Sequence, residues 1–362
     1  MSQVVQTAEK CASPIECVHS VDSMEDARSF QKSKSRVPTL GIDLLGGDQS
    51  SSEHLLATLS GLYKEIEDSF HLVVFASPDI FPHLKAFRIA KDLSEEQLQL
   101  LETEEVIYMD DDPLHAVRRK KDASMCLGMR LLKEKKIDAL VSTGNTGALI
   151  ASAKMHLPML KGISRAALIT LLPTKKRPIA VIDVGANIHC TPEHLVQFAQ
   201  MGLAYQKSRG IQNPTVGLLN IGTEEKKGRA ELRETYQLLQ KTPSFVGNVE
   251  GKEVFSGAIN VLVTDGFTGN VFLKTAEGIS SFILDTMHQN QSILPFSKPL
   301  LKRLEKELYS AEYPGAILCG MDGIIMKCHG DASPEALKQG VIGAISLIQG
   351  SFLDKIKLQL TQ

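Results

Sequence analysis

The chain has 362 residues, of which 43% are hydrophobic and 23% are charged, so it is long enough to bury a sizeable apolar core. Its formal net charge is −2, aromatic residues make up only 5%, and tryptophan is absent. Nucleic-acid binding usually needs a strongly basic surface or stacking aromatic side chains, so this composition argues against a nucleic-acid partner.

The cysteines indicate a reducing compartment. They are Cys11, Cys17, Cys126, Cys190, Cys319 and Cys328. No two of them have CxxC spacing, and thiols dispersed through a long chain favour a cytoplasmic protein over a disulfide framework or a zinc site. The sequence also lacks a stretch of about 18 apolar residues and a basic region followed by an apolar one at its start. We therefore expect neither a membrane-spanning helix nor a secretory signal.

The chain divides into an extension and a folded part. Residues 1–36 are polar, rich in serine and without a sustained apolar period, which predicts a disordered or loosely attached extension. Residues 37–362 are expected to form a single α/β catalytic domain. Strands are predicted at 37–43, 71–76, 104–109, 137–142, 166–172, 178–184, 215–221 and 259–265. Helices are predicted at 53–68, 122–136, 192–209 and 229–241.

The predicted strands are continuously apolar and do not alternate with polar residues. Such strands are buried on both faces, which indicates a mainly parallel sheet between layers of helices. The stretch 289–310 stands apart, because its leucines follow helical spacing while lysines and an arginine occupy the other faces. It is interpreted either as a helix that packs on the body or on a partner subunit, or as an amphipathic contact with an anionic membrane.

Glycine, asparagine, threonine and aspartate cluster directly after five of the apolar strands. The five segments are Gly46-Gly47-Asp48, Ser142-Thr143-Gly144-Asn145-Thr146-Gly147, Asp183-Val184-Gly185-Ala186-Asn187, Asn220-Ile221-Gly222-Thr223 and Asp265-Gly266-Phe267-Thr268-Gly269-Asn270. In an α/β sheet the carboxyl ends of parallel strands line the ligand crevice, where glycines let main-chain N–H groups approach an anion. Five such turns at one type of edge predict a polar site that accepts an anion.

The loop 220–228 adds two lysines, Lys226 and Lys227, either of which could donate to phosphate oxygens or be a solvated surface charge. The GxGxxG, P-loop, HExxH, EF-hand and GxSxG patterns are all missing from the sequence. His189, His194 and His329 are scattered, and nothing near Cys190 makes it a nucleophile. We therefore expect no metal and no cofactor, and a site built from main-chain amides, asparagine, hydroxyls and a lysine.

Seven segments together resemble the signature blocks of one family. They are IDLLGGD (42–48), VSTGNTGALIA (141–151), VIDVGAN (181–187), EHLVQFAQMG (193–202), VGLLNIGTEEKKG (216–228), FVGNVEG (245–251) and VTDGFTGNVFLKTAEG (263–278). They resemble PlsX, the phosphate acyltransferases of bacterial phospholipid synthesis, and occur in the family order from about residue 38 to beyond 345. Arg229 stands where the family usually has asparagine.

The resemblance implies that acyl-[acyl carrier protein] and inorganic phosphate react to give acyl phosphate and free carrier protein. It further implies a three-layer α/β/α sandwich like the isocitrate and isopropylmalate dehydrogenases, a homodimer, and a peripheral position on the inner face of the cytoplasmic membrane. The glycerol-3-phosphate acyltransferase that acts next is an implied partner. Basic residues at 118–121 and at 298–303 are candidates for docking the acidic carrier protein, or are simply solvated charges.

The same resemblance suggests roles for individual residues. Lys227 is assigned to phosphate binding and charge stabilisation, and Asn270 to orienting phosphate or the thioester carbonyl. Supporting phosphate- or substrate-binding roles go to Gly46, Gly47, Asp48, Gly144, Asn145, Thr146, Gly147, Asp183, Asn187, Asp265, Thr268 and Gly269. The aspartates at strand ends, Asp43, Asp183 and Asp265, have the equal alternative of capping helices or ordering loops.

Three other functions stay open at this stage. A dehydrogenase of the isopropylmalate type shares the implied architecture, but its carboxylate cluster, arginines and nicotinamide site cannot be assembled from this sequence. A phosphotransacetylase acting on acyl-CoA or acetyl-CoA differs in the thiol carrier. The non-enzymatic alternative is a membrane-associated scaffold that recruits lipid-synthesis proteins through 289–310.

Overall fold

A computed structural model describes residues 37–48, 51–65, 69–289 and 315–361, and the structural statements below refer to those residues. The predicted extension 1–36 and, apart from Gln289, the amphipathic stretch 289–310 lie outside them. The folded part, Val37–Gln362, is one compact unit.

Eleven strands are described. They are β1 (Thr39–Asp43), β2 (His71–Ala76), β3 (Leu98–Glu102), β4 (Ala139–Ser142), β5 (Ala167–Leu172), β6 (Ile179–Ile182), β7 (Val216–Leu219), β8 (Phe245–Val249), β9 (Val261–Val263), β10 (Ala316–Cys319) and β11 (Ile324–Lys327).

Eleven helices are described with them. They are α1 (Ser52–Glu65), α2 (Phe81–Ala90), α3 (Pro113–Arg119), α4 (Ser124–Lys133), α5 (Thr146–His156), α6 (Pro192–Ser208), α7 (Ala230–Leu239), α8 (Gly251–Val254), α9 (Gly266–Gln289), α10 (Pro334–Gln349) and α11 (Phe352–Leu360).

All eleven strands belong to one sheet, in the order β3-β2-β1-β4-β11-β10-β5-β6-β9-β7-β8. Alternate residues of each strand face opposite sides, so that Leu72 and Val74 of β2 join one apolar core while Val73 and Phe75 join another. Helices α1, α6 and α10 contribute to the first core, and α4 and α5 contribute to the second. The sheet therefore lies between two layers of helices, and the predicted α/β class with a mostly parallel sheet is confirmed.

The direction of the strands changes in the middle of the sheet. Strands β1, β2, β3, β4 and β11 run parallel to one another, and β6, β7, β8 and β9 form a second parallel group. Between them, β10 is antiparallel to β11 and β5, and β5 is antiparallel to β6. The two parallel groups therefore run in opposite directions.

All five glycine-rich turns follow the carboxyl ends of strands, as expected, but the reversal puts them at two opposite edges of the sheet, so the expectation that all five converge is wrong. The turns after β1 and β4 lie at the carboxyl ends of one group, and those after β6, β7 and β9 at the carboxyl ends of the other. A sequence signal for the reversal was available: only the short segment 173–178 joins β5 to β6, whereas a parallel crossover needs about a dozen residues or more.

One predicted strand is wrong. Residues 104–109 form no strand, and the edge strand is instead β3, Leu98–Glu102, which pairs with β2 through Leu72↔Leu98 and Ala76↔Glu102. The other predicted strands are observed with ends shortened by up to two residues, and β2 is observed as predicted. Strands β8, β10 and β11 were not predicted.

Side-chain caps fix the starts of several helices. Thr191 accepts from the backbone N–H of His194 and Pro192 occupies the first turn, so α6 begins where the sequence predicts. Within the described ranges no single helix has both the length and the hydropathy of a membrane span; α10 and α11, which are bent by 57° at their junction, reach them only when joined.

Candidate functional site

The turns after β1, β4 and β11 form the first loop cluster, residues 44–48, 142–147 and 327–330. Asp43, at the end of β1, is completely buried, and Ser142 Oγ donates to its Oδ2 atom over 2.8 Å. Gly47 lies directly against Thr143, because a Cβ added there would be 2.6 Å from Thr143 Oγ1. Burial raises the pKa of the Asp43 carboxyl, and hydrogen bonds from Ser124 and Ser142 oppose this shift.

Lys327 occupies the centre of this cluster. Its side chain is buried, with 8% of the residue exposed, and Nζ donates to the carbonyl oxygens of Thr143, over 3.3 Å, and Cys328. Burial lowers the pKa of Lys327, and the negative charge of Asp43 partly offsets that shift. The ammonium group thus ties the turn after β4 to the turn after β11.

Other predicted residues of this cluster serve the framework. Asn145 caps α5 by accepting from the Ala148 N–H over 3.0 Å, and its Nδ2 donates to the Met109 carbonyl over 2.9 Å. Thr146 is the first residue of α5. Gly46, Gly144 and Gly147 pack closely against neighbouring atoms, and the Asp48 carboxylate lies against Gly330. Both polar ends of the Asn145 amide are therefore engaged within the protein.

The turns after β6, β7 and β9 form the second loop cluster, residues 183–188, 220–229 and 264–270. Asp183 organises its first turn, because its carboxylate accepts five N–H bonds. The donors are the backbone N–H groups of Leu168, Gly185, Ala186 and Asn187 and the Asn187 side chain, at 2.8–3.1 Å. Burial raises the pKa of the Asp183 carboxyl, and these donors oppose the shift. This geometry favours the loop-ordering alternative for Asp183.

Asp265 orders the start of α9 in a similar way. Its Oδ1 accepts from the Thr268 N–H over 2.8 Å, and its Oδ2 accepts from the Thr268 hydroxyl over 3.0 Å. The same Oδ2 atom forms an ion pair with Arg229 at 2.6 Å. Gly269 follows in the first turn, packed against the Asp183 carbonyl. Asp265 thus caps α9 and connects it to the turn after β7.

Asn220 shapes the turn that carries Lys227. Its Nδ2 donates to the Lys227 carbonyl over 3.1 Å, and its Oδ1 accepts from the Ile221 N–H over 2.8 Å. Gly228 has a φ of +84° and lies against Asn220, a conformation and a closeness that favour glycine. The Lys227 side chain is exposed, and its ammonium group has no carboxylate partner among the described residues.

Asn270 lies on the exposed side of the first turns of α9, where its Oδ1 would be 3.7 Å from a Cβ added to Gly185. Strand register brings the three turns together, because Val263 of β9 is level with both Ile182 and Leu218. The turns that carry Asp183, Asn187, Asn220, Asp265, Thr268 and Gly269 therefore gather around the start of α9. Asn270 is exposed on α9 itself, and Lys227 is exposed in the turn after β7.

Helix α9 connects the two loop clusters. Asn270, Lys274 and Glu277 are spaced by four and three residues, so they share one helix face. Lys274 Nζ lies 2.8 Å from Glu277 Oε2 and 3.5 Å from His329 Nδ1, and His329 Nε2 lies 3.4 Å from Glu277 Oε1. The turn after β11 thereby approaches the helix whose first turns form the second loop cluster.

Lys327, Lys274, Glu277 and Arg229 were not among the residues predicted for the site, and His329 was considered only as a scattered histidine. A weaker signal for Lys327 and His329 was present, since the apolar run 324–326 is followed directly by basic residues and a glycine, Lys-Cys-His-Gly. No comparable sequence signal marks Lys274 and Glu277, because their contacts with His329 join parts of the chain that are about 50 residues apart.

The chemistry available here is hydrogen bonding and charge. The described residues contain no group of three or more His, Cys, Asp or Glu side chains arranged to hold a metal ion. Burial, together with the negative charge of Asp183, raises the pKa of the Cys190 thiol to about 12, so the thiolate is scarce at neutral pH. Lysine, asparagine and hydroxyl groups can bind an anion and stabilise developing negative charge.

Comparisons with known proteins agree with this chemistry. The model of a family described as "Fatty acid synthesis protein" matches residues 38–355. The phosphate acyltransferase of Chlamydia pneumoniae is 41% identical over 324 residues, covering 88% of this chain and 97% of that protein. The phosphate acyltransferase of Clostridium tetani is 37% identical over 330 residues, covering 89% and 97% respectively.

A solved structure supports the fold. A phosphotransacetylase from Streptococcus pyogenes superposes with a TM-score of 0.58 at 16% identity, covering 86% of this chain and 94% of that one. At this identity the likeness concerns the α/β architecture alone. With the family model matched over most of its length and relatives near 40% identity, the chain belongs to the fatty acid synthesis protein family, alongside the curated phosphate acyltransferases.

Proposed function

We propose that this enzyme transfers a fatty acyl group from acyl carrier protein to inorganic phosphate, giving acyl phosphate for phospholipid synthesis. Acyl transfer to phosphate rests on the family membership. The identity of the acyl donor, an acyl carrier protein, is what we add to it. The observation that carries the proposal is the second loop cluster, where Lys227 and Asn270 both have exposed side chains and the Arg229–Asp265 ion pair joins the turn of Lys227 to the start of the 24-residue helix that carries Asn270.

Phosphate needs little activation in this reaction. It is substantially dianionic near neutral pH, and the sulfur leaves as a thiolate whose conjugate acid has a pKa of about 8.5 by analogy with cysteine. A phosphate oxygen forms a bond to the thioester carbon, the C–S bond breaks, and the thiolate takes a proton from solvent. The protein has to hold phosphate in line and stabilise the oxyanion that develops on the carbonyl oxygen.

Lys227 is proposed to bind phosphate. The ammonium group is exposed and unpaired among the described residues, while the backbone beneath it is fixed by Asn220. A compact cation on an anchored turn can neutralise phosphate without first leaving a carboxylate.

Asn270 is proposed to orient phosphate or the thioester carbonyl. Its amide reaches the exposed side of α9 next to Gly185, which has no side chain to obstruct it. The amide can therefore donate to an oxygen of a bound phosphate or of the thioester carbonyl without displacing a side chain.

The acidic carrier protein is proposed to dock on the basic residues at 118–121. Arg118, Arg119 and Lys121 are exposed, whereas Lys120 is held by Asp111 at 2.6 Å and by the Val106 carbonyl at 2.8 Å. These residues end α3, whose first residue, Pro113, packs against Gly147 of the first loop cluster. The second basic candidate, 298–303, lies outside the described residues.

The test supplies hexadecanoyl-loaded carrier protein and isotopically labelled phosphate, without metal or nicotinamide, and measures labelled acyl phosphate. Lys227→Ala and Asn270→Ala should each lower turnover about 100-fold or more, the scale of losing one essential donor. Lys226→Ala is the matched control, because Lys226 is an exposed lysine in the same turn, and it should retain near-normal turnover. Near-normal turnover in Lys227→Ala or Asn270→Ala would remove that residue from the mechanism.

A second candidate is a phosphotransacetylase that uses CoA as the thiol carrier, because a CoA thioester offers phosphate the same carbonyl carbon and the same thiolate leaving group. Running the same assay with hexadecanoyl-CoA and acetyl-CoA separates the two. A preference for the CoA donors would replace the carrier protein in the proposal while leaving acyl transfer to phosphate in place.

We further propose a cytoplasmic homodimer bound peripherally to the membrane, with the architecture of the isocitrate and isopropylmalate dehydrogenases. Exposed apolar residues of α9 support a contact of this kind, namely Ile279, Phe282 and Ile283, which lead toward 289–310. Acyl phosphate is a reactive mixed anhydride, so direct delivery to a glycerol-3-phosphate acyltransferase would limit its hydrolysis. Co-sedimentation with anionic vesicles and light scattering test the membrane contact and the dimer.

A further inference from the structure

Each turn of the second loop cluster places an exposed apolar side chain beside a polar site residue. Ile188 follows Asn187, Ile221 follows Asn220, Phe267 precedes Thr268, and Val271 follows Asn270. Ile188, Ile221, Phe267 and Val271, which we call the apolar rim, are 66%, 80%, 63% and 50% exposed. Single exposed apolar residues are ordinary, but the same pairing in three turns around one site needs an explanation.

The backbone holds the members of the rim close to one another. Gly266 N donates to the Asn187 carbonyl over 2.8 Å. Phe267 directly follows the donor and Ile188 directly follows the acceptor, so this hydrogen bond keeps the two residues near each other. Register makes Val263 level with Leu218, so the turn that carries Ile221 and the start of α9, which carries Phe267, leave neighbouring strands at the same level. Phe267 and Val271 are four residues apart on α9 and share a face.

The turns themselves do not depend on these four side chains. The ordering contacts come from Asp183, Asn220 and Asp265, and none of the four residues belongs to the apolar cores or to the partly buried residues packed against them. The four side chains of the rim are therefore exposed to water, and they add nothing to the packing of the apolar cores within the described residues.

We propose that the apolar rim binds the fatty acyl chain of the substrate and favours long chains over short ones. This proposal rests on the proposed function. The acyl carbonyl carbon must reach a phosphate held near Lys227 and Asn270, so the first carbons of the chain leave from that same point. An apolar surface there removes the chain from water, and the gain grows with each methylene that it covers.

The test compares kcat/KM for hexadecanoyl-loaded and acetyl-loaded carrier protein. An acetyl group has only one methyl to place on the rim. Phe267→Ala and Ile221→Ala should each lower the preference for the sixteen-carbon donor roughly tenfold, with a much smaller change for acetyl, because about two methylenes' worth of contact is lost. Phe267→Leu keeps an apolar side chain and should restore most of the preference.

Matched controls lie elsewhere on the surface. Ile89 on α2 is 68% exposed, and Leu358 on α11 is 58% exposed, so Ile89→Ala and Leu358→Ala remove comparable apolar area away from the second loop cluster. Both should leave the chain-length preference unchanged. Thermal unfolding should stay close to wild type in all variants, since every substituted side chain is exposed.

The proposal is overturned if Phe267→Ala and Ile221→Ala leave the chain-length preference unchanged. Two further measurements on these variants would then show what the rim does instead. The first is a fall in their molecular mass by light scattering, and the second is a loss of their binding to vesicles. A fall in mass would assign the rim to an interface between copies of this chain, and a loss of vesicle binding would assign it to a membrane surface. Wild-type protein that makes no acyl phosphate from either donor would instead refute the proposed function, so the two failures are distinguishable.

Discussion

Arg229 Nη2 lies 2.6 Å from Asp265 Oδ2, and this pair joins the turn that carries Lys227 to the helix that carries Asn270. Lys227 is two residues before Arg229, and Asn270 is five residues after Asp265. The pair is asymmetric, because 61% of the Arg229 side chain is exposed whereas only 6% of the Asp265 side chain is. Arg229 is thus suited to set the position of one proposed catalytic residue relative to the other.

Removing this pair should affect activity more than stability. Arg229→Ala breaks a largely exposed ion pair, which is worth about 1 kcal/mol of unfolding free energy or less. Small displacements of positioning groups cost far more in rate, so kcat/KM for phosphate should fall roughly tenfold. Steady-state kinetics with varied phosphate and urea unfolding of the same samples give the two quantities.

Arg229→Lys and Asp265→Asn serve as the matched variants. The lysine keeps a charge and should recover part of the lost kcat/KM, while Asp265→Asn keeps an acceptor for the Thr268 N–H. If the pair acts as a unit, the double variant Arg229→Ala/Asp265→Asn should be little worse than the single variants. Additive losses would mean that Arg229 acts independently of Asp265.

The second prediction concerns the buried ammonium group of Lys327. Lys327→Met removes the donor to the Thr143 and Cys328 carbonyls, so the free energy of unfolding should fall by about 2–4 kcal/mol at neutral pH. Burial lowers the folded-state pKa of Lys327 below its unfolded value of 10.5, so the unfolded chain binds the proton more tightly. The advantage of wild type over Lys327→Met should therefore grow as pH rises toward that unfolded value.

Urea unfolding of wild type and Lys327→Met at neutral pH and near pH 9.5 measures this difference. The comparison between the two proteins cancels the titration of groups that they share. A difference that stays constant or shrinks with rising pH would contradict the assigned direction of the pKa.

The strands and most of the turns could be predicted because their signals are local. Continuous apolar runs such as 71–76 mark buried strands, and the polar residues after them mark the turns. The edge strand β3 was missed because its sequence LQLLE is only partly buried and mixes apolar with polar residues, whereas the neighbouring 104–109 has an apolar end but forms no ladder.

The arrangement of the site depends on relations between distant parts of the chain. The reversal between the two parallel groups separates turns that look equivalent in sequence, and α9 carries Asn270 on the same face as Lys274, which contacts His329. Asp183 shows the same limit, since aspartate at a strand end is equally consistent with binding a ligand and ordering a loop. Only the five donors around its carboxylate distinguish these alternatives.

The third prediction is that Cys190 takes no part in covalent catalysis. Its pKa is raised to about 12, first by burial and then by the charge of Asp183, so it remains a thiol across the physiological range. Cys190→Ala should retain turnover within about twofold, and iodoacetamide should label Cys190 in the native protein far more slowly than a free thiol near pH 8. A large loss of turnover together with an acyl-enzyme mass at Cys190 would establish a thioester intermediate instead.

The last prediction separates two buried aspartates that occupy equivalent places in the sequence. Asp183→Asn replaces one acceptor oxygen by an NH2 group, which leaves two or three of the five N–H donors without an acceptor and should cost about 3 kcal/mol or more of unfolding free energy. Asp43→Asn is the matched control. Asp43 is equally buried but accepts from the Ser124 and Ser142 hydroxyls, which can rotate to accept instead, and from the Leu45 N–H only at 3.3 Å. Its loss should be about 1 kcal/mol or less, and equal losses in urea unfolding would show that burial, not the set of N–H donors, determines what Asp183 contributes.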